Sequence, residues 1–260
     1  MNSKVYGVTV FGGIAEFTVM PCSTAALMSN KLNFTQAAAL PVAALTSLEA
    51  LERAEVKKGQ KVLIIGASGG CGMFGVMLAN LRGAFVTGIS SRRNSPFVKS
   101  LKADRVVDYS NAVEMGTLSS EGAVYDVIYD TVTSFDPVDP NYIPITKPLL
   151  KEGGRYIAIN GYQFAWAVCF IDQATRLLFG FTIQRSGYEL FFLTPTAEAM
   201  QKITRWYDNG DLSQVPLDSI YSLDAAGSKR VFEENVWRAM SRMKSRRAVG
   251  KIVFEFSESG

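Results

Sequence analysis

The run from Lys61 to Gly75 constrains the fold of this chain more than any other feature. An uncharged, β-branched stretch at 62–65 leads into a cluster of glycines, and a helical spacing of apolar residues follows up to Leu81. Glycines allow a tight turn in which backbone N–H groups approach a phosphate, and the positive end of the following helix faces the same anion. The run therefore predicts a strand–turn–helix unit for a dinucleotide pyrophosphate. The alternative interpretation is a purely structural strand–helix turn.

Strand and helix patterns alternate along the middle of the chain. Strands are predicted at 61–65, 84–90, 105–109, 125–132, 155–160 and 189–193, and helices between several of them. Such alternation predicts an α/β fold, with a doubly wound parallel sheet over residues 45–193. The helix that follows the strand at 84–90 is expected to begin with Ser95 as its N-cap.

The two ends of the chain have a different character, which predicts a second domain made from residues 1–44 and 194–260. A hairpin is predicted from VYGVTV (5–10) and AEFTVMP (15–21), followed by an alanine-rich helix interrupted at Pro41. After a helix at about 195–208, strands at 216–222 and 250–256 flank a long helix near 224–245.

Composition excludes several classes of function. The 260 residues carry a net charge of +3 without a lysine–arginine tract that alternates with aromatics, so nucleic acid is not expected as a partner. There is no histidine, and Cys22, Cys71 and Cys169 are far apart, which argues against a metal site and a serine–histidine triad. The uncharged runs at 62–81 and 156–171 contain glycines or amides and predict no membrane span. Scattered thiols indicate a reducing compartment. We expect an intracellular protein, in the cytoplasm rather than in the mitochondrion.

The end of the second predicted strand bears on the choice of nucleotide. NAD-binding chains place an acidic residue there for the ribose 2′-hydroxyl, whereas this chain has Ser90-Ser91-Arg92-Arg93-Asn94. Because arginine binds phosphate through paired, charge-assisted hydrogen bonds, this loop predicts NADPH. A solvated basic loop is the alternative.

These segments together resemble the zinc-free branch of the medium-chain dehydrogenase/reductase family, above all its zeta-crystallin-like quinone oxidoreductases. The similar segments are FGGIAEFTVMP (11–21), AAALPVAALTSLEAL (37–51), GQKVLIIGASGGCG (59–72), SRRNSPFVKSLKADRVVDY (91–109), YDVIYDTV (125–132), LLKEGGRYIAI (149–159) and RRAVGKIVFEF (246–256). The resemblance runs essentially from end to end. It implies a GroES-like catalytic domain built from both termini around the Rossmann domain, and a homodimer.

The resemblance also implies which residues contact NADPH. For the pyrophosphate these are Gly66, Ser68, Gly69, Gly70, Cys71 and Gly72. Ser91 and Arg93 would hold the 2′-phosphate, with Tyr109 and Arg247 toward the adenosine. The cleft near the nicotinamide would be lined by Thr46, Thr131, Val132, Ile159, Asn160 and Gly161. Structural alternatives are an ordinary strand end for Tyr109, a hydroxyl bonded to its own helix for Thr46, and a small packed side chain for Cys71.

Three departures from the family stand out. The family has roughly a hundred more residues before the segment matching Val5, so the GroES-like domain is expected to be incomplete. Lys102 occupies a position that is usually glycine, and the segment 223–251 is longer than usual by about three turns.

The implied activity is NADPH-dependent, zinc-independent reduction of quinones or activated enones by hydride transfer. No residue stands out as a proton donor, so catalytic residues are left unassigned. An aromatic stretch, Tyr162, Phe164, Trp166, Phe170, Tyr188, Phe191 and Phe192, would wall the acceptor site or else belong to the core or a dimer interface. The rival hypotheses are a truncated, catalytically weak NADPH-binding or interaction module, and a dehydratase-like or enoyl reductase relative.

Overall fold

A computed structural model describes residues 3–9, 11–134, 136–161, 163–179, 188–223 and 229–256. The chain forms two compact units. One is continuous, Thr46–Leu193, and the other joins the two ends of the chain, Met1–Leu45 and Thr194–Gly260.

The first strands pair differently from the predicted hairpin. Strand β1 (Val5–Gly7) pairs antiparallel with β2 (Ala25–Leu27), so the expected pairing with residues 15–21 was wrong. In the intervening loop Phe17 and Val19 are each about 90% exposed, and the Thr9 hydroxyl lies 2.7 Å from the Phe11 carbonyl oxygen. The apolar residues of the alternating pattern therefore cover no surface. The Thr9 hydroxyl also lies 3.3 Å from the Val19 carbonyl oxygen, a contact that spans the loop.

Two consecutive helices follow, and they confirm the predicted interruption at Pro41. Helix α1 (Phe34–Ala39) begins with a capping box, in which Asn33 accepts the backbone N–H of Gln36 and the Gln36 side chain accepts that of Asn33. Helix α2 (Pro41–Arg53) starts at the proline, which needs no N–H partner in a first turn.

The continuous unit confirms the α/β prediction. Its strands and helices alternate as β3 (Lys61–Ile65), α3 (Gly70–Leu81), β4 (Phe85–Ser90), α4 (Ser95–Ser100), β5 (Arg105–Asp108), α5 (Ala112–Ser119), β6 (Tyr125–Asp130), α6 (Ile143–Thr146), β7 (Leu150–Ala158), α7 (Gln163–Phe179) and β8 (Glu189–Leu190). The six strands form one parallel sheet in the order β5-β4-β3-β6-β7-β8. Successive strands move outward from β3 to β5 and then restart on the other side at β6.

The centre of this sheet is fully buried. Val62 to Ile65 of β3 are inaccessible to solvent, as expected for a parallel strand covered on both faces. One core cluster joins Leu63 and Ile65 to Ile128 and Tyr156 of the neighbouring strands. At the start of α4 the N-cap residue is Asn94 rather than the predicted Ser95, because Ser95 is itself the first residue of the helix.

Helix α7 was not predicted. Its residues include phenylalanine, tryptophan, valine, cysteine and isoleucine, which have modest helix propensity, so the sequence gives only a weak helix signal there. Tyr162 and the side chain of Phe164 lie outside the described residues. The Trp166 and Phe170 rings pack on Phe192, with centroids 4.5 and 4.8 Å away, so part of the aromatic stretch is one packed cluster.

The C-terminal part of the chain returns to the discontinuous unit and confirms the predicted order of elements. Helix α8 (Ala197–Asn209) begins after the Thr196 cap and ends at Gly210 in the left-handed region. Strand β9 (Leu217–Ser222), helix α9 (Lys229–Lys244) and strand β10 (Lys251–Glu255) follow. Strands β9 and β10 pair in parallel, which requires a crossover such as the one that contains α9.

Candidate cofactor site

The reversal of strand order between β3 and β6 marks where a ligand would bind. In open parallel sheets, ligands occupy the crevice at the carboxyl ends of the strands where the winding direction changes. The segments that follow β3, β4, β6 and β7 here carry most of the residues predicted to contact a dinucleotide.

The turn after β3 is as tight as the glycine pattern predicted. Gly66 has a φ of +79°, and its N–H and that of Ala67 donate to the Ile89 carbonyl of β4 at 3.1 and 2.9 Å. The Gly69 N–H donates back to the Gly66 carbonyl at 2.9 Å. A Cβ on Gly72 would lie 2.1 Å from that same Gly66 oxygen. Only a glycine at position 72 permits this approach of α3 to the turn.

The start of α3 is built to receive an anion. Its N-cap is Gly69, which makes no side-chain capping bond, and its first turn holds no acidic residue. Ser68, Gly69, Gly70 and Cys71 are each partly exposed. A helix of 12 residues with such a start presents backbone N–H groups and a positive dipole end.

The loop after β4 is attached to this turn through a residue that the sequence analysis missed. The Asn94 side-chain amide donates to the Ser68 hydroxyl at 3.0 Å. Ser91 is partly exposed, and Arg92 and Arg93 are exposed. The predicted pyrophosphate and 2′-phosphate segments are therefore adjacent.

A carboxylate also lies beside this loop, supplied by the next strand. Asp108 of β5 is in register with Ser90 of β4 and is buried. Hydrogen bonds from the Ser110 hydroxyl and N–H, and more weakly the N–H and charge of Arg92, hold the pKa of Asp108 below its usual value. Tyr109, which follows, is half exposed, and its N–H donates to the Ser90 carbonyl at 3.1 Å.

The turn after β6 forms the opposite wall. Thr131 donates its hydroxyl and its N–H to the Ile65 carbonyl, at 2.7 and 3.2 Å. A Cβ on Gly66 would lie 2.6 Å from both Thr131 Oγ1 and Val132 Cγ2. The turns after β3 and β6 are thus in direct contact at the point where the winding reverses.

The segment after β7 lies next to this wall. The Ile159 N–H donates to the Asp130 carbonyl at 3.2 Å, and the Asn160 side chain accepts the Gly161 N–H at 2.9 Å. Ile159 and Asn160 are partly exposed, and Gly161 is buried.

Two predicted residues belong to elements other than these turns. Thr46 is a buried residue of α2, next to Ser47, whose hydroxyl donates to the Cys71 carbonyl at 2.7 Å. Helix α2 therefore reaches the first turn of α3. Arg247 is exposed and belongs to the discontinuous unit. Cofactor contacts of Arg247, and those of all the residues above, stay predictions.

Comparison with known proteins identifies the family. The pattern of the zinc-binding dehydrogenase family matches residues 101–254, more than half of the chain. The chain is also 32% identical over 253 residues to a chloroplast envelope quinone oxidoreductase homolog of Arabidopsis thaliana, covering 94% of this chain and 69% of that protein.

The chain belongs to the quinone oxidoreductase group of the medium-chain dehydrogenase/reductase family.

Other members of this family extend the comparison. An NADPH-dependent alkenal/one oxidoreductase of Arabidopsis thaliana chloroplasts is 26% identical over 245 residues, which cover 94% of this chain and 53% of that protein. The quinone oxidoreductase structure from Coxiella burnetii superposes with a TM-score of 0.75 at 25% identity, over 98% of this chain and 72% of that one. The chain thus spans between about half and two thirds of the length of four of the curated relatives it matches.

Two further observations concern metals and membranes. Over the part of the chain that the structure describes, no three histidine, cysteine, aspartate or glutamate side chains come together as metal ligands. Among the same residues, no helix combines the length and the hydropathy that crossing a bilayer requires.

Proposed function

We propose that this chain binds NADPH at the carboxyl edge of its parallel sheet, for zinc-independent reduction of a quinone or an activated enone. The observation that carries the proposal is the glycine turn at the uncapped start of α3, joined by the 3.0 Å Asn94–Ser68 hydrogen bond to the Ser91–Arg93 loop. The close approaches at Gly66 and Gly72 give the turn the shape that a pyrophosphate requires.

The residues of the chain have separable tasks in this proposal. The first-turn N–H groups of α3 bind the pyrophosphate, and Ser91 and Arg93 bind the 2′-phosphate. Thr131, Val132 and the 159–161 segment hold the nicotinamide end and keep water away from it. NADPH, when bound, supplies the hydride, and the protein contributes orientation.

The absence of zinc from the mechanism is also part of the proposal. The sequence has no histidine, and its three cysteines are exposed, partly exposed and buried in turn, with no pairing into a ligand set. We expect chelation to leave turnover unchanged, and elemental analysis to show no stoichiometric zinc in the purified protein. Tightly bound zinc would contradict this part.

The cofactor assignment is tested by calorimetric titration with NADPH and NADH. A phosphate–arginine hydrogen bond contributes about 1.5–3 kcal/mol, so NADPH should bind at least about tenfold more tightly. Arg93→Ala should reduce that ratio, whereas the matched variant Arg92→Ala, which keeps its backbone N–H, should change it little. Equal affinities in the parent, or a ratio that Arg93→Ala leaves unchanged, would overturn the assignment.

Turnover needs a separate test, because the chain spans only part of its relatives' length. The second candidate function, a cofactor-binding module with weak catalysis, is favoured by that same coverage of 52–69%. A misplacement of the acceptor by about 1 Å costs roughly a hundredfold in rate. Reduction of a small quinone and a small enone at saturating NADPH, compared with a version extended upstream by the family's additional segment, distinguishes the two. Equal rates would place the catalytic groups within the present residues.

Self-association as a homodimer is a further part of the proposal. On α7 the side chains of Phe170, Ile171 and Leu178 are 60%, 56% and 71% exposed and offer an apolar surface. Light scattering at micromolar concentration tests it, and a strictly monomeric species would count against it. The preference for the cytoplasm over the mitochondrion has no support from the comparisons, since relatives are named for the chloroplast and for the mitochondrion.

A further inference from the structure

Asp130 is a buried carboxylate at the centre of the crevice. It is the last residue of β6 and only 1% exposed. Its Oδ1 accepts the backbone N–H groups of Val132 and Thr133, at 2.9 and 3.0 Å. Its Oδ2 accepts the Tyr156 hydroxyl at 2.7 Å. Both oxygens are therefore used, one by the turn after β6 and one by the neighbouring strand.

Tyr156 fixes the carboxylate from the side of β7. Its ring is fully buried in the core cluster of the sheet, and its hydroxyl also lies 3.2 Å from Thr146 Oγ1. Burial and the nearby Asp130 charge keep the pKa of Tyr156 far above its usual value, so the phenol remains a donor. The Thr146 hydroxyl can give its own proton to the Tyr142 carbonyl at 2.8 Å. The carboxylate is thereby attached to a rigid part of the core.

The turn that Asp130 holds is the one that contacts Gly66. Thr131 and Val132 occupy the space where a Gly66 Cβ would stand, and Thr131 donates twice to the carbonyl at the end of β3. In the same turn, the backbone N–H groups of Val132 and Thr133 donate to the Asp130 carboxylate. The position of the crevice wall therefore depends on a side chain that is itself inaccessible.

We infer that Asp130 is a positioning residue for cofactor binding, which acts through its two hydrogen bonds to the 131–133 turn and through its attachment to Tyr156. The inference rests on the proposed NADPH site. Asp130 makes no contact of its own with the cofactor in the proposed site. It fixes the wall against which the nicotinamide half of the crevice is built, so its loss should weaken cofactor binding more than it weakens the fold.

The experiment compares Asp130→Ala and Asp130→Asn with a matched control at the other end of the same strand. Asp126 also accepts a backbone N–H, from Lys61 at 2.8 Å, and pairs with Lys151 at 2.7 Å, but it lies at the edge of the sheet away from the crevice. NADPH dissociation constants and melting temperatures are measured for all variants, including Asp126→Ala. We expect Asp130→Ala to weaken NADPH binding at least about tenfold and Asp126→Ala to change it less than about twofold.

The asparagine variant supplies the rescue. An amide oxygen still accepts two N–H groups, so Asp130→Asn should recover affinity to within about threefold of the parent. The inference is overturned if folded Asp130→Ala binds NADPH like the parent, or if Asp126→Ala weakens binding as much. It is also overturned if asparagine restores nothing.

Hydrogen exchange keeps the test decisive if Asp130→Ala does not fold. A neutral acceptor bonds more weakly than a carboxylate, so the Val132 and Thr133 amides should exchange faster in Asp130→Asn than in the parent and unchanged in Asp126→Asn. Unchanged exchange at both amides in Asp130→Asn would overturn the inference. Failure of the parent to bind NADPH would instead overturn the proposed function, and the exchange arm would still report on the turn.

Discussion

Replacement of Gly72 by alanine should have opposite effects on the stability of the helix and on the geometry of the turn. In a helix, alanine is normally the better residue by about 1 kcal/mol. At position 72, however, the new methyl group would lie 2.1 Å from the Gly66 carbonyl oxygen and 2.7 Å from its carbon. Both contacts are with backbone, so no side-chain rotation relieves them.

The two effects differ enough in size to give a clear sign. Overpacking typically costs about 1–3 kcal/mol, and a contact this short with a hydrogen-bonded backbone belongs at the upper end of that range. Subtracting the gain in helix propensity leaves a net loss of roughly 2 kcal/mol, or about 4–8 °C in Tm for a chain of this size. The displaced turn should also weaken NADPH binding by at least about tenfold, because the first turn of α3 moves with it.

Gly116 offers the matched control. It lies inside α5, and a Cβ there would meet nothing within 4 Å. Gly116→Ala should therefore stabilise the protein by up to about 1 kcal/mol and leave NADPH binding unchanged. Urea denaturation and nucleotide titration measure both properties. A Gly72→Ala variant that melts at or above the parent temperature, or that retains full affinity, would show that the close approach described here is not required.

Three other predictions concern stability. Lys102 has a φ of +72°, a conformation that costs a non-glycine residue about 1–2 kcal/mol. Lys102→Gly should therefore raise the free energy of unfolding, measured by urea denaturation, by about 0.5–1 kcal/mol. A decrease would contradict this prediction. Hydrogen bonds from Arg242 hold the pKa of Asp218 below its usual value of 3.8, so the ionised carboxylate stabilises the fold above that pH and loses this effect as the pH falls through the folded-state pKa. Asp218→Asn should therefore reduce the loss of Tm between about pH 5 and 3. An unchanged dependence of Tm on pH would argue against this interaction. The Arg53 side chain is 19% exposed and pairs with two glutamates, so Arg53→Met should lower the free energy of unfolding by roughly 1–3 kcal/mol. Arg238→Met, which removes an exposed ion pair, should change it very little. Equal losses in the two variants would count against a stabilising role of the Arg53 ion pairs.

The parallel sheet could be predicted because its information is local. Each strand from β3 to β6 is a short, largely apolar run, and the glycine turn follows the first of them directly. The glycine spacing also predicted a tight turn, and the close contacts that exclude a side chain at Gly66 and Gly72 are its physical basis.

The missed features depend on partners distant in sequence. The pairing of β1 with β2 rather than with residues 15–21 is decided by which surface is available, which alternation alone does not encode. Asp130 lies inside the predicted strand 125–132 and at the end of the observed β6, but its partner Tyr156 is 26 residues away and meets it only through the register of β6 with β7. Asp108 likewise comes beside Ser90 only through the register of β5 with β4.

The discontinuous unit has a consequence for synthesis on the ribosome. The Thr35 hydroxyl donates to Glu255 at 2.8 Å, and Tyr6 donates to the Met200 carbonyl at the same distance, across 220 and 194 residues. The first bond requires residue 255 and the second requires residue 200, whereas residues 46–193 contain a complete sheet that can fold before either residue is translated. At about 5–20 residues per second, residues 194–260 require on the order of 3–13 s to translate. During that interval residues 3–45 lack their native partners from residues 194–260, so a chaperone that recognises nascent apolar segments would find its substrate in residues 3–45.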